Sequence, residues 1–156
     1  MAANGVNRST ARAALAAGLR TKLVTTATCA DAVYASREEH FAEIAYTGGK
    51  IRVVMVSSAG SERQIAHLGV SSRRVYFSFD VFTFVAFGDG VTTEAQAEDA
   101  RDLIEKNIAD YLTDNQKATT WDEIVVTGPT VTQTLVVGGV AFKYEEIPVR
   151  ARWALG

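Results

Sequence analysis

Cysteine is almost missing from this chain of 156 residues. Cys29 stands alone, so no disulfide forms within the chain, and a reducing compartment is the natural setting. Histidine is scarce too: His40 and His67 give no close metal-ligand spacing, and no metal site is expected. Only two prolines are present, which excludes a fibrous or low-complexity class. Long apolar runs are absent. The most apolar stretch, Val75 to Phe87, is broken by Asp80 and falls short of the about 20 residues of a membrane helix. The Gly-x-Ser-x-Gly turn of a strained serine nucleophile does not occur. The turn Gly88–Gly90 before a helix fits neither a dinucleotide fingerprint nor a P-loop. Asp89, Glu94, Glu98 and Asp99 around it would repel an anion. No catalytic or cofactor-binding residue emerges, and the chain is not expected to be an enzyme.

What is there is a packed domain. Hydrophobic residues make up 47% and charged residues 22%. A single domain over 1–156 would bury about 68–70% of its unfolded surface, enough for a self-standing core. The N-terminus imitates a signal peptide, but Arg20 and Lys22 cut its apolar run short, so it reads as a cytosolic helix. The net charge of −2 gives no bulk attraction for nucleic acid, yet the charges are sorted along the chain. Residues 1–30 hold Arg8, Arg12, Arg20 and Lys22 with no acid, whereas residues 89–123 hold ten acids against Arg101, Lys106 and Lys117. A molecule with one basic and one acidic surface could stack on copies of itself; a merely solvated surface is the alternative.

Periodicity predicts a helix over about 10–25, capped by Ser9, with Ala11, Leu15, Leu19 and Leu23 on one face and Gly18 beside it. A second helix is predicted over 94–112, opened by the capping-box pair Thr93 and Gln96 and striped by Ala97, Ala100, Ile104, Ile108 and Tyr111. Two glycine pairs mark hairpins. Gly48-Gly49 would pair Ile44 with Val53 and Ala42 with Met55, although 37–46 also suits a helix; Gly138-Gly139 would pair Leu135 with Phe142 and Val137 with Val140. Residues 57–74 read as a long connection with a short helical turn near 61–68. Short strands are expected near 123–127 and 130–137, followed by 140–147, which bends at Pro148 toward an edge segment.

The most informative stretch is the long strand "RRVYFSFDVFTFVAF". Val75, Phe77, Phe79 and Val81 alternate with Tyr76, Ser78 and Asp80, as a half-solvated strand requires. Beyond Asp80, Phe82, Phe84 and Ala86 make the second face apolar as well. That half should be covered on both sides, by helices or by a neighbouring subunit. The fold class expected is therefore α+β: a mixed or antiparallel sheet with a long central strand, two main helices on one face and a C-terminal β-hairpin.

The order of elements resembles the tail terminator proteins of long-tailed bacteriophages: an alanine-rich N-terminal helix, "GGKIRVVMV", the long aromatic strand, "TTEAQAEDARDLIEKNIADYL" and the closing "VVGGVAFKYEEIPVRARWA". The likeness spans most of the chain. It implies a virion protein at the head-proximal end of the tail, present in the host cytoplasm during assembly. Such a subunit forms a homo-oligomeric ring, hexameric in that family, which caps the tail tube, ends its polymerisation and meets the head–tail connector and neck proteins. No cofactor, membrane or sequence-specific nucleic acid is implied. Partner contacts are expected at Arg63, Arg73 and Arg74, at Phe82 and Phe84, and at Arg150 and Arg152, from the residues and not from a family motif. The alternatives are a head-closure or tail-tube subunit, or a small α+β enzyme or ligand-binding domain using the Gly88–Gly90 turn.

Overall fold

The computed structural model describes residues 7–36, 51–65, 73–88, 92–118, 120–137 and 139–155, with the backbone alone at 64–65, 73–74, 137 and 154–155. Helix α1 (Arg8–Arg20) continues as a π-helical turn, Thr21–Thr26; strand β1 (Ala32–Tyr34) follows, then β2 (Arg52–Ile65), β3 (Arg73–Phe87), helix α2 (Glu94–Asp114), β4 (Glu123–Val126), β5 (Val131–Val137) and β6 (Val140–Leu155). The strands form one six-stranded mixed sheet in the order β1-β2-β3-β6-β4, with β5 also paired to β6. Among the described residues only β1 and β2 run parallel. This is the α+β arrangement the patterning implies, with both helices packed on one face.

β3 carries the architecture. It spans 15 residues and pairs along its length with β2 on one side and β6 on the other, well beyond the usual 3–10 or so residues. Its alternation sorts the two faces. Val75, Phe77, Phe79, Val81 and Val85 join the core beneath the helices, together with Leu15, Leu19 and Leu23 from the first helix and Ile104, Ile108 and Leu112 from α2. On the other face Tyr76, Ser78 and Asp80 are half-buried. Phe82, Phe84 and Ala86 build a second cluster there with Val53, Met55, Phe142 and Tyr144.

This second cluster corrects one expectation. Phe82 is 6% exposed and Phe84 1% within the single chain. The rings already have their cover, so their burial supplies no reason for a neighbouring subunit.

Other differences have local causes. Asn7, not Ser9, caps α1: its side chain accepts the Thr10 amide at 2.8 Å. The stretch 57–65 is strand, neither loop nor helical turn. Ala59 is an extra residue between the pairs Ser58/Phe79 and Gly60/Ser78, a β-bulge that lets polar residues continue the ladder. β2 has β1 and β3 on its two edges at Val53–Met55, which leaves no edge there for a Gly48-Gly49 hairpin; residues 42–49 lie outside the described residues. β6 continues through Pro148 as one strand of 16 residues. The Pro148 carbonyl accepts the Thr127 amide, and in an extended residue N and C=O point to the same side. The missing N–H therefore faces the gap where β5 gives way to β4, and the ladder to β3 loses nothing. The Gly138-Gly139 hairpin has the predicted register, Leu135 opposite Phe142 and Val137 opposite Val140.

Candidate functional site

The two helices divide the charge. Each arginine of α1 touches the β1/β2 end of the sheet: Arg8 donates to the Ser61 hydroxyl at 3.1 Å, Arg12 to Ser58 at 2.8 Å, and Arg20 to the Val33 carbonyl at 2.6 Å. The bulge in β2 sets this up, because it turns both Ser58 and Ser61 toward the helix face, opposite Phe79 and Phe77. Arg63 lies farther along the same face of β2, exposed, with its guanidinium 5.8 Å above the Phe77 ring. All four are held by neutral acceptors or a ring, although the Arg12 Nε is buried without a hydrogen-bond partner. None forms an ion pair among the described residues.

Carboxylates gather at the other end of the sheet. Glu94 pairs with Lys143 of β6 at 2.8 Å, and Glu98 and Asp102 flank Arg101 at 3.4 and 3.6 Å. Lys143 also donates to Thr134 of β5. Glu145 is buried beneath this helix and accepts the Thr130 hydroxyl at 2.6 Å. Burial pushes its carboxyl above the ordinary range; the Thr130 bond opposes that, and of the nearby charges Glu105 and Asp102 raise it while Arg101 lowers it. Glu94, Glu98, Asp102 and Glu105 thus form an acidic flank above β6 and β5. α1 and α2 meet between the flanks, where Gly18 gives way to the Tyr111 ring: a Cβ at Gly18 would fall on the Tyr111 hydroxyl.

The residues expected to contact partners fall in different places. Arg150 and Arg152 project from the sheet face opposite the helices. Arg150 stacks over Tyr76 at 4.7 Å, and Arg152 lies 3.6 Å from Glu123 with its Nε buried and unpartnered. Arg63 is on the helix side, so the structure does not unite these three. Arg73 and Arg74 open β3, paired with Ile65 and Gln64; their side chains are outside the described residues. The basic charge of the first 30 residues is evident in the sequence, but nothing there marks Arg8, Arg12 and Arg20 as a site. Their spacing along α1 does not by itself reveal that they share an edge with Arg63.

No family model matches this chain, and no curated protein does. The site must be read from its chemistry. Among the described residues no group of three or more His, Cys, Asp and Glu side chains could hold a metal. A shallow cleft of about 280 Å³ is lined by Arg20, Val24 and residues 31–34, but its polar groups are already engaged. Arg20 holds the Val33 carbonyl, and Asp31 accepts the Ile51 and Arg52 amides and the Arg52 guanidinium. The start of α2 is occupied by its own capping box: Thr93 accepts from the Gln96 amide, and Gln96 accepts from the Thr93 amide. Asp89 is outside the described residues. Charged surface is available at the two ends of the sheet, beside the exposed Val126, Val131 and Val136 of β4 and β5.

Proposed function

We propose that the chain is a structural virion subunit of the tail-terminator kind. It closes into a ring on the end of a phage tail tube, ends tube polymerisation and offers a surface for head–tail joining. One observation carries this reading: on the helix-covered face, arginines of the first helix and β2 lie at one end of the sheet and carboxylates of α2 at the other. Head-to-tail ring closure joins unlike surfaces of identical subunits, so a ring subunit needs two different, complementary flanks. The order of elements along the chain supports the same reading. Phe82 and Phe84 do not, since their burial is complete without a partner.

Native mass spectrometry and negative-stain images, with and without purified tail tubes, test it. A single closed ring on tube ends is the expected result. Long cylinders formed by the protein alone would identify a tube subunit instead. A monomer that ignores tube ends overturns the ring reading, and a small-molecule role would then have to be sought.

A further inference from the structure

We infer that the subunit interface is electrostatic, with Arg8, Arg12, Arg20 and Arg63 of one copy docking on Glu94, Glu98, Asp102 and Glu105 of the next. The inference rests on the ring reading and names the surfaces that close the ring. The four arginines form a row fixed to β1 and β2 by the Ser61, Ser58 and Val33 contacts, and none has a carboxylate partner among the described residues. The acidic row is fixed to the far end of the sheet through Glu94 and Lys143, and the Glu98 and Asp102 side chains remain 53% and 66% exposed. Lys143 and Arg101 are too few to neutralise the four carboxylates. A surplus of each sign therefore faces outward at opposite ends, and a second copy of this chain is the occupant whose charge complements both. Guanidinium groups suit this role, because their planar forks bind carboxylates through two parallel hydrogen bonds.

Charge reversal tests the pairing. Arg8 and Arg63 are both exposed, so Arg8→Glu/Arg63→Glu leaves the core untouched; Glu98→Arg/Asp102→Arg is the reciprocal variant. Circular dichroism and thermal melting identify any variant that fails to fold. Where a reversal fails to fold, Glu98→Gln/Asp102→Asn provides a milder change on the exposed acidic flank. Sedimentation at low salt and ring occupancy on tube ends are then read. Each reversal alone should weaken association about tenfold or more, since attractive pairs become repulsive. Mixing the two reversed variants should restore rings, because the reversed positions of one flank then meet the reversed positions of the other, while the two unaltered flanks still match. Wild-type association should fall steeply with salt. Rings that form equally well from every variant overturn this interface and leave the ring reading standing. A wild-type chain that stays monomeric at low salt and on tubes overturns both.

Discussion

Phe84→Ala separates a core role from an interface role for the second aromatic cluster. Phe84 is 1% exposed, and its ring lies 5.3 Å from Tyr144, 6.0 Å from Phe142 edge-on and 6.4 Å from Phe82. Truncating a buried Phe to Ala costs about 3–5 kcal/mol, the cavity included. Favourable ring pairs add about 0.5–1.5 kcal/mol each, which puts this site at the upper end, about 4–5 kcal/mol. For a domain of this size 1 kcal/mol moves the midpoint by about 2–4 °C, so thermal unfolding of the dilute monomer should fall by about 10–15 °C. Urea titration should show a lower midpoint with an unchanged slope. A variant that melts within about 3 °C of wild type yet no longer forms rings would refute the reasoning, because the ring would then serve a neighbour and not its own sheet.

Gly18→Ala should destabilise the fold by about 1–3 kcal/mol, since the new methyl displaces the Tyr111 ring. In a Tyr111→Ala background the same change should stabilise by about 0.5–1 kcal/mol, the helix-propensity gain alone, as urea unfolding of the four proteins would show. Glu145 has a raised carboxyl pKa, so the folded state binds more protons than the unfolded one above the ordinary value of 4.5. Its contribution is present below that value and is lost as pH rises through the folded pKa. Glu145→Gln should remove this part of the decline in a series of urea midpoints against pH. Asp31 behaves oppositely. Burial raises its carboxyl, but the Arg52 guanidinium and the Arg52 and Ile51 amides outweigh that and leave it lowered. Its stabilisation holds above the ordinary 3.8 and disappears as pH falls through the folded value. Asp31→Ala should cost about 2–3 kcal/mol at neutral pH and progressively less in acid.

Much of the fold was legible because period and turn chemistry agreed. The stripe of α2 and its Thr93/Gln96 box, the Gly138-Gly139 register and the change of rule at Asp80 in β3 all follow from side-chain spacing. The misreadings share a cause: backbone ladders ignore side-chain polarity. Residues 57–65 are poor strand formers, yet β3 supplies an edge and the bulge at Ala59 absorbs the mismatch. Pro148 read as a bend because sequence shows a missing donor, while only the topology shows that the donor had no partner to lose. Arg101, Asn107 and Lys143 are buried with polar partners, where no apolar period announces them. The candidate site was half visible. Charge segregation was evident in the chain, but its placement at opposite ends of the sheet depends on β6 passing from the hairpin with β5 back beside β3.

An interface made of solvated charges has a consequence that buried aromatic rings would not share. Exposed ion pairs contribute about 0–1 kcal/mol each, and salt screens them within about 8 Å at physiological strength. Association itself costs about 4–15 kcal/mol of lost freedom. Under the proposed pairing, four arginines facing four carboxylates do not hold free subunits in a ring at cellular salt. A tube end that binds each subunit raises the effective concentration of its neighbours, and the same weak contacts then suffice to close the circle. Had Phe82 and Phe84 been the contact, rings would form wherever subunits met, with or without a tube. On the proposed reading, enclosing those rings in the fold and leaving charge at the flanks would make assembly conditional on the template, the behaviour a subunit that ends polymerisation requires.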